Sequence, residues 1–158
     1  MSTTLPTNWF IAVDDLANLE EGRGTVGHFL ARLRSAHPTA TLRRFNMAGN
    51  RCVALLYGDT TCIVESAAYW LLSVGPRPFD ARLRQSLLAA ISIEDLRELC
   101  ASPAAQDNAL LVIDKNANSL HVITGPLNIT KIFCGELEGR RIVSSSIRLF
   151  PSKCLALN

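Results

Sequence analysis

Apolar positions along the chain keep two periods, one of strands and one of helices. The run WFIAV at 9–13 is unbroken, of strand length, and fits a strand covered on both faces. DDLANLEEGRG after it is a polar link. Thr25 is placed to cap a helix in which Val26, Phe29, Leu30 and Leu33 recur at helical spacing, with Arg32 and Arg34 outward and Pro38 as the stop. ATLRRFN (40–46) and RCVALLYG (51–58) read as strands around the turn MAGN. TTCIVES continues after Gly58-Asp59, so the three runs predict a small meander. AAYWLLSVG fits either a strand or a helical turn, and GPRPF is a break.

Asp80 then caps a helix with Leu83, Leu87, Leu88 and Ile91 as its apolar positions. Ser92 and Asp95 form a capping-box pair opening another, with Ile93, Leu96, Leu99 and Cys100 inward. Beyond Pro103, NALLVID, SLHVIT, ITKIFCG and RRIVSSS follow one another across short turns at KNAN, GPLN and ELEG. That pattern predicts an antiparallel meander of four strands and a short amphipathic tail, SIRLF. Strands at both ends with helices between them indicate an α+β layered domain. Residues 1–8 read as a flexible lead-in and 9–158 as a single domain.

Composition supports a packed core. The chain has 158 residues, 48% hydrophobic and 19% charged, with a formal net charge of +2. That profile excludes a disordered segment. Thirteen Arg and three Lys are scattered, and the doublets Arg43-Arg44 and Arg140-Arg141 do not lie among stacking aromatics, so nucleic acid is not an expected partner. Cys52, Cys62, Cys100, Cys134 and Cys154 show no metal spacing and fit buried thiols in a reducing compartment. His28, His37 and His121 are far apart, and no metal site is expected. No apolar run approaches a membrane span and no leader pattern opens the chain, which leads to an expectation of a soluble, cytoplasmic protein without a membrane partner.

The C-terminal half resembles the end of the glutaminase domain of asparagine synthetases. There the order is a run like FALLLYD, a turn, LFLARDRxGxKPLYY, then GRLxFASExKAL; here it is ALLVID, KNAN, SLHVITGPLNITKIFC, then GRRIVSSSIRLF. The match covers residues 108–150, with a looser one for the two preceding helices. It implies the fold of N-terminal-nucleophile hydrolases, an αββα-type sandwich of two antiparallel sheets. The family's charged pair in the hinge falls on Gly125 and Pro126, and its glycine on Asn128, a residue type that tolerates positive φ. Gly125 and Asn128 are therefore read as a structural hinge.

The chemistry the resemblance implies is not matched by the residues. Family members use a Cys directly before the first strand, with its own α-amine as base. Here no Cys precedes Cys52, and Ser2 is the one candidate nucleophile, seven residues ahead of Trp9. The oxyanion element has its nearest counterpart in Tyr57-Gly58-Asp59, with Tyr in place of the amide donor, and the loops that hold glutamine are missing. β-Lactam synthetases, carbapenam synthetase and lasso-peptide cyclases are relatives of this degenerate kind. They join such a domain to an ATP-dependent synthetase that carries an SGGxDS-type pyrophosphate loop. This chain has no such loop, so ATP and Mg are expected in a partner synthetase domain or subunit only, and no cofactor is expected for this chain itself.

Smaller constellations have plain structural readings: His121 as a half-exposed strand residue, Asp14-Asp15 and Glu20-Glu21 as solvated pairs, Thr124, Asn128 and Thr130 as turn chemistry, and Trp9, Tyr69 and Trp70 as core or interface anchors. The expectation is a non-catalytic glutaminase-like domain or split subunit of an amide ligase of the β-lactam or peptide-macrocycle type, with a docking role. A second copy of the chain is the other candidate partner. The alternatives are an active amidohydrolase using Ser2 and a generic α+β protein-binding module.

Overall fold

The first strand outruns its apolar residues. A computed structural model describes residues 8–17, 24–47, 51–58, 62–76 and 81–150. In chain order the elements are β1 (Phe10–Ala17), α1 (Gly24–Ala36), β2 (Thr41–Met47), β3 (Arg51–Tyr57), β4 (Cys62–Glu65), β5 (Tyr69–Val74), α2 (Ala81–Ala89), α3 (Ile93–Ala101), β6 (Ala109–Asp114), β7 (Ser119–Thr124), β8 (Phe133–Leu137), β9 (Arg140–Ser144) and a 3-10 turn at Ile147–Leu149. β1 continues past Val13 through a bulge: Val13 pairs with Ala54 and Leu16 with Cys52, so one extra residue lies between them. The link expected from Asp14 onward is therefore strand as far as Ala17.

The described residues show an α+β architecture with two antiparallel sheets and three α-helices, and the chain divides into two compact units. The first unit, within Met1–Thr60 and Ile132–Asn158, holds a five-stranded sheet in the order β2-β3-β1-β9-β8. Its core joins Trp9, Ile11 and Val13 to Ala54, Leu56 and Ile142, with Val26, Phe29 and Leu30 from α1 and Leu149 and Phe150 from the C-terminal turn. Each large side chain buried in this way contributes roughly 1.5–3 kcal/mol. Arg32 and Arg34 stay exposed, as the helical spacing requires. The helix starts at Gly24, which puts Thr25 inside its first turn rather than at the cap.

The second unit, Thr61–Lys131, holds a four-stranded sheet in the order β4-β5-β6-β7. Its central strands β5 and β6 are buried along their whole length, which settles AAYWLLSVG as strand. α2 and α3 cover one face, where Leu83, Leu87, Leu96 and Cys100 meet Tyr69, Leu71, Leu110, Val112 and Ile123. The box opening α3 forms as the sequence predicts. Ser92 Oγ accepts from Asp95 N at 3.1 Å and Asp95 Oδ2 accepts from Ser92 N at 3.1 Å. Leu88 and Ile91 do not point inward as expected but are 44% and 84% exposed, because α2 ends at Ala89 and turns only Leu83 and Leu87 to the sheet. The second face of each sheet is buried as well, with Phe10, Ala12, Val53 and Leu55 in the first and Trp70, Leu72, Leu111 and Ile113 in the second.

Two expected meanders are corrected. β4 does not join β2 and β3, because β3 already pairs with β1 on one side and β2 on the other, leaving it no edge; β4 pairs with β5 instead. The four C-terminal strands form two hairpins in different sheets, β6-β7 and β8-β9. The hinge after Thr124 is the crossover between those sheets. Among the described residues no helix is long and apolar enough to cross a membrane.

Candidate functional site

Two places gather the residues that the sequence singles out, the start of β1 and the hinge. At the first, Phe10 pairs with Tyr57, which brings the end of β3 beside the residue that opens β1. Trp9 is buried there, packed in the core, with its indole 5.1 Å from the His37 ring at a tilt of 56°. Gly58 N donates to Trp9 O at 3.1 Å, and a Cβ on Gly58 would stand 2.9 Å from Trp9 Nε1. Only a glycine lets the indole lie so close. An oxyanion site needs N–H groups aimed at the substrate; the Gly58 N–H is aimed at the backbone.

The serine run that ends β9 completes this end, in a role that the sequence does not disclose. Phe10 N donates to Ser145 Oγ at 2.9 Å, and Ser145 N donates to Phe10 O at 3.1 Å. Ser144 Oγ lies 2.9 Å from Phe10 O and 3.0 Å from Ser146 O, so its one proton serves either carbonyl, and it accepts from Ser146 N at 3.1 Å. Ser144 is fully buried. These hydroxyls tie the C-terminal strand to the start of β1. The pairing of β9 with β1 spans nearly the whole sequence, and no local signal marks it.

The hinge is a hydrogen-bonded corner. Gly125 N donates to Asn108 O at 3.3 Å, extending the β6-β7 ladder by one pair, and Asn128 N donates to Gly125 O at 3.0 Å to close a turn. Asn128 adopts φ 47°, in the left-handed region. Thr130 Oγ1 donates to Asp107 O at 2.6 Å. A Cβ on Gly125 would lie 1.9 Å from Gln106 O, a backbone atom. Beneath the corner Asn108 is buried, with Nδ2 3.4 Å from Ser73 Oγ, and Cys100 Sγ lies 3.7 Å from both Asn108 O and Ile123 O. Burial pushes the Cys100 thiol up to about 11, so it is protonated and a poor nucleophile at neutral pH.

Thr124 and Asn128 are exposed and Thr130 is bonded to the backbone, so these three do not converge. His121 is half-buried in β7 with Nε2 2.8 Å from Ser119 Oγ. Tyr69 is a core anchor whose hydroxyl donates to Ile91 O at 3.2 Å, and burial raises its pKa, helped by the charges of Asp114 and Asp95. Ser2, Glu20, Glu21, Asp59 and Asp80 lie outside the described residues. Among the described residues no group of three or more His, Cys, Asp or Glu is placed to hold a metal ion. Comparison of the chain with protein-family models, with curated proteins and with solved structures returns no match.

Proposed function

We propose that this chain is a non-catalytic glutaminase-like domain or split subunit of an asparagine-synthetase-type, ATP-dependent amide ligase, and that it acts by docking on the synthetase part. The finer architecture of this reading is an αββα-type sandwich, the fold of N-terminal-nucleophile hydrolases. Two-faced burial of both antiparallel sheets supports it. The observation that carries the reading is the start of β1. That strand end lies beside Tyr57-Gly58, the counterpart of the oxyanion element in the resemblance, yet the position before the strand holds a buried Trp9 and the Gly58 N–H is bonded to it. A nucleophile there needs a small exposed side chain and an N–H facing the substrate. The packed indole provides neither.

ATP, Mg and the carboxylate to be activated belong to the partner in this reading. The test is glutamate release from L-glutamine by the purified chain and by its Ser2→Ala variant. The reading predicts the same background rate for both. Turnover by the parent chain that Ser2→Ala abolishes overturns it in favour of an active amidohydrolase.

A further inference from the structure

Among the described strands, four form sheet edges: β2 and β8 in one sheet, β4 and β7 in the other. An edge strand offers a row of N–H and C=O groups to any incoming strand, and proteins guard such edges with charges, prolines, bulges or covering side chains. β2 carries Arg43 and Arg44, β8 carries Glu136, and β4 carries Glu65. β4 is covered further. Ser66 N bonds Tyr69 O, so the alternation of the ladder turns Ile63 outward, and Ile63 O accepts from the Arg84 guanidinium at 3.0 Å.

Among the described residues β7 has none of these guards. Its sequence SLHVIT contains no Asp, Glu, Lys, Arg or Pro, and it pairs with β6 residue for residue without a bulge. Its hydrogen-bond phase follows from the corner. Because Gly125 N reaches Asn108 O, the residues bonded to β6 are Ile123, His121 and Ser119. The backbone groups of Leu120, Val122 and Thr124 therefore point to the outer edge. Leu120 and Val122 are half-buried and Thr124 is exposed, all on the face opposite Ile123.

We propose that β7 pairs antiparallel with β7 of a second copy of this chain, about a two-fold axis through Val122. Only outward-phase residues can exchange hydrogen bonds. The axis through Val122 sets Val122 opposite Val122 and Leu120 opposite Thr124, which engages all three outward residues of both strands. An axis through His121 would set Thr124 against Asn118, a turn residue with φ 51°. The occupant is a second copy because the edge is uncharged and complements itself. A charged strand would find no complement here, whereas self-pairing brings no like charges together, in contrast to the Arg43-Arg44 edge. A two-fold contact of this kind is isologous and closed, satisfying both edges at once. This inference does not depend on the glutaminase reading.

Register-specific cross-linking tests it, in a background carrying Cys62→Ser, Cys134→Ser and Cys154→Ser. Directly opposite, hydrogen-bonded residues lie about 5.5 Å apart between Cα atoms, within disulfide range. Val122→Cys is expected to form a disulfide dimer under mild oxidation. Ser119→Cys, whose two copies would lie roughly 20 Å apart in this register, is expected to remain a thiol. The parent chain should sediment as a dimer, and Val122→Lys should weaken association by roughly tenfold or more with an unchanged circular dichroism spectrum. A parent chain that stays monomeric while Val122→Cys remains a thiol overturns the proposal. So do equal cross-linking at Ser119 and Val122, and pairing that occurs only with a strand of another protein.

Discussion

Replacing Gly125 with alanine separates a structural corner from a binding site. The added Cβ would lie 1.9 Å from Gln106 O, 2.6 Å from its carbonyl carbon and 2.9 Å from its Cα. All three are backbone atoms, so relief requires the segment before β6 to move by about 1.5 Å to reach ordinary contact at 3.4 Å. That movement opens the 3.3 Å bond from Gly125 N to Asn108 O and strains the 2.6 Å bond from Thr130 Oγ1 to Asp107 O. Overpacking costs about 1–3 kcal/mol, and loosening a buried bond adds about 1 kcal/mol, so the expected loss is roughly 2–4 kcal/mol. Asn128→Ala at the same corner acts through φ alone and should cost only about 1 kcal/mol. Urea unfolding followed by tryptophan fluorescence and by circular dichroism measures both variants, with an unchanged m-value as the check that the unfolded state is the same. A loss below about 0.5 kcal/mol for Gly125→Ala would refute the reasoning, since surface substitutions commonly fall in that range.

The other predictions concern the ties around the two sheets. Ser144→Ala removes the fully buried hydroxyl between Phe10 O and Ser146 N, and should cost about 1–3 kcal/mol in the same unfolding assay; a neutral result would mean that the hydroxyl does not hold β1. Asp95 is held below its ordinary carboxylate pKa, first by the bond from Ile91 N and then by those from Ser92. Because its folded pKa is depressed, its contribution is present above the unfolded value and is lost as pH falls through the folded one. Asp95→Asn should therefore flatten the acid limb of the stability profile, and a parallel limb would contradict the assignment. Exposed Cys134 should alkylate well before buried Cys100 at pH near 8, read by peptide mass mapping; Cys100 reacting first would overturn the packing described for it.

Local signals in the sequence carried most of the elements and little of their pairing. The Ser92-Asp95 box is legible because both partners sit within one turn, and the turn at KNAN because Asp114 Oδ1 accepts from Asn116 N and Ala117 N, at 2.9 Å each. The apolar run of β6 reads as a strand for the same reason, whereas the run of β5 fits strand and helical turn equally until its burial on both faces is seen. Strand partners are a long-range matter. Neighbouring runs usually pair, so β4 reads as a continuation of the β2-β3 meander, and nothing near it in sequence shows that β1 and β2 already occupy both edges of β3. The bulge in β1 hid two acidic residues inside a strand. At the start of β1, Trp9 and Gly58 stand out singly in the sequence, but the backbone bond joining them and the serine ties to Phe10 depend on contacts across the length of the chain.

The central claim is that this chain serves an amide-forming ligase without doing glutaminase chemistry. Its most direct test is carboxylate-dependent exchange of pyrophosphate into ATP, measured on the tagged chain purified with its native partner from the cell that makes it. Exchange is expected to co-elute with the chain and with a polypeptide bearing an SGGxDS-type loop. A chain that elutes without adenylating activity, or with a partner lacking that loop, contradicts it.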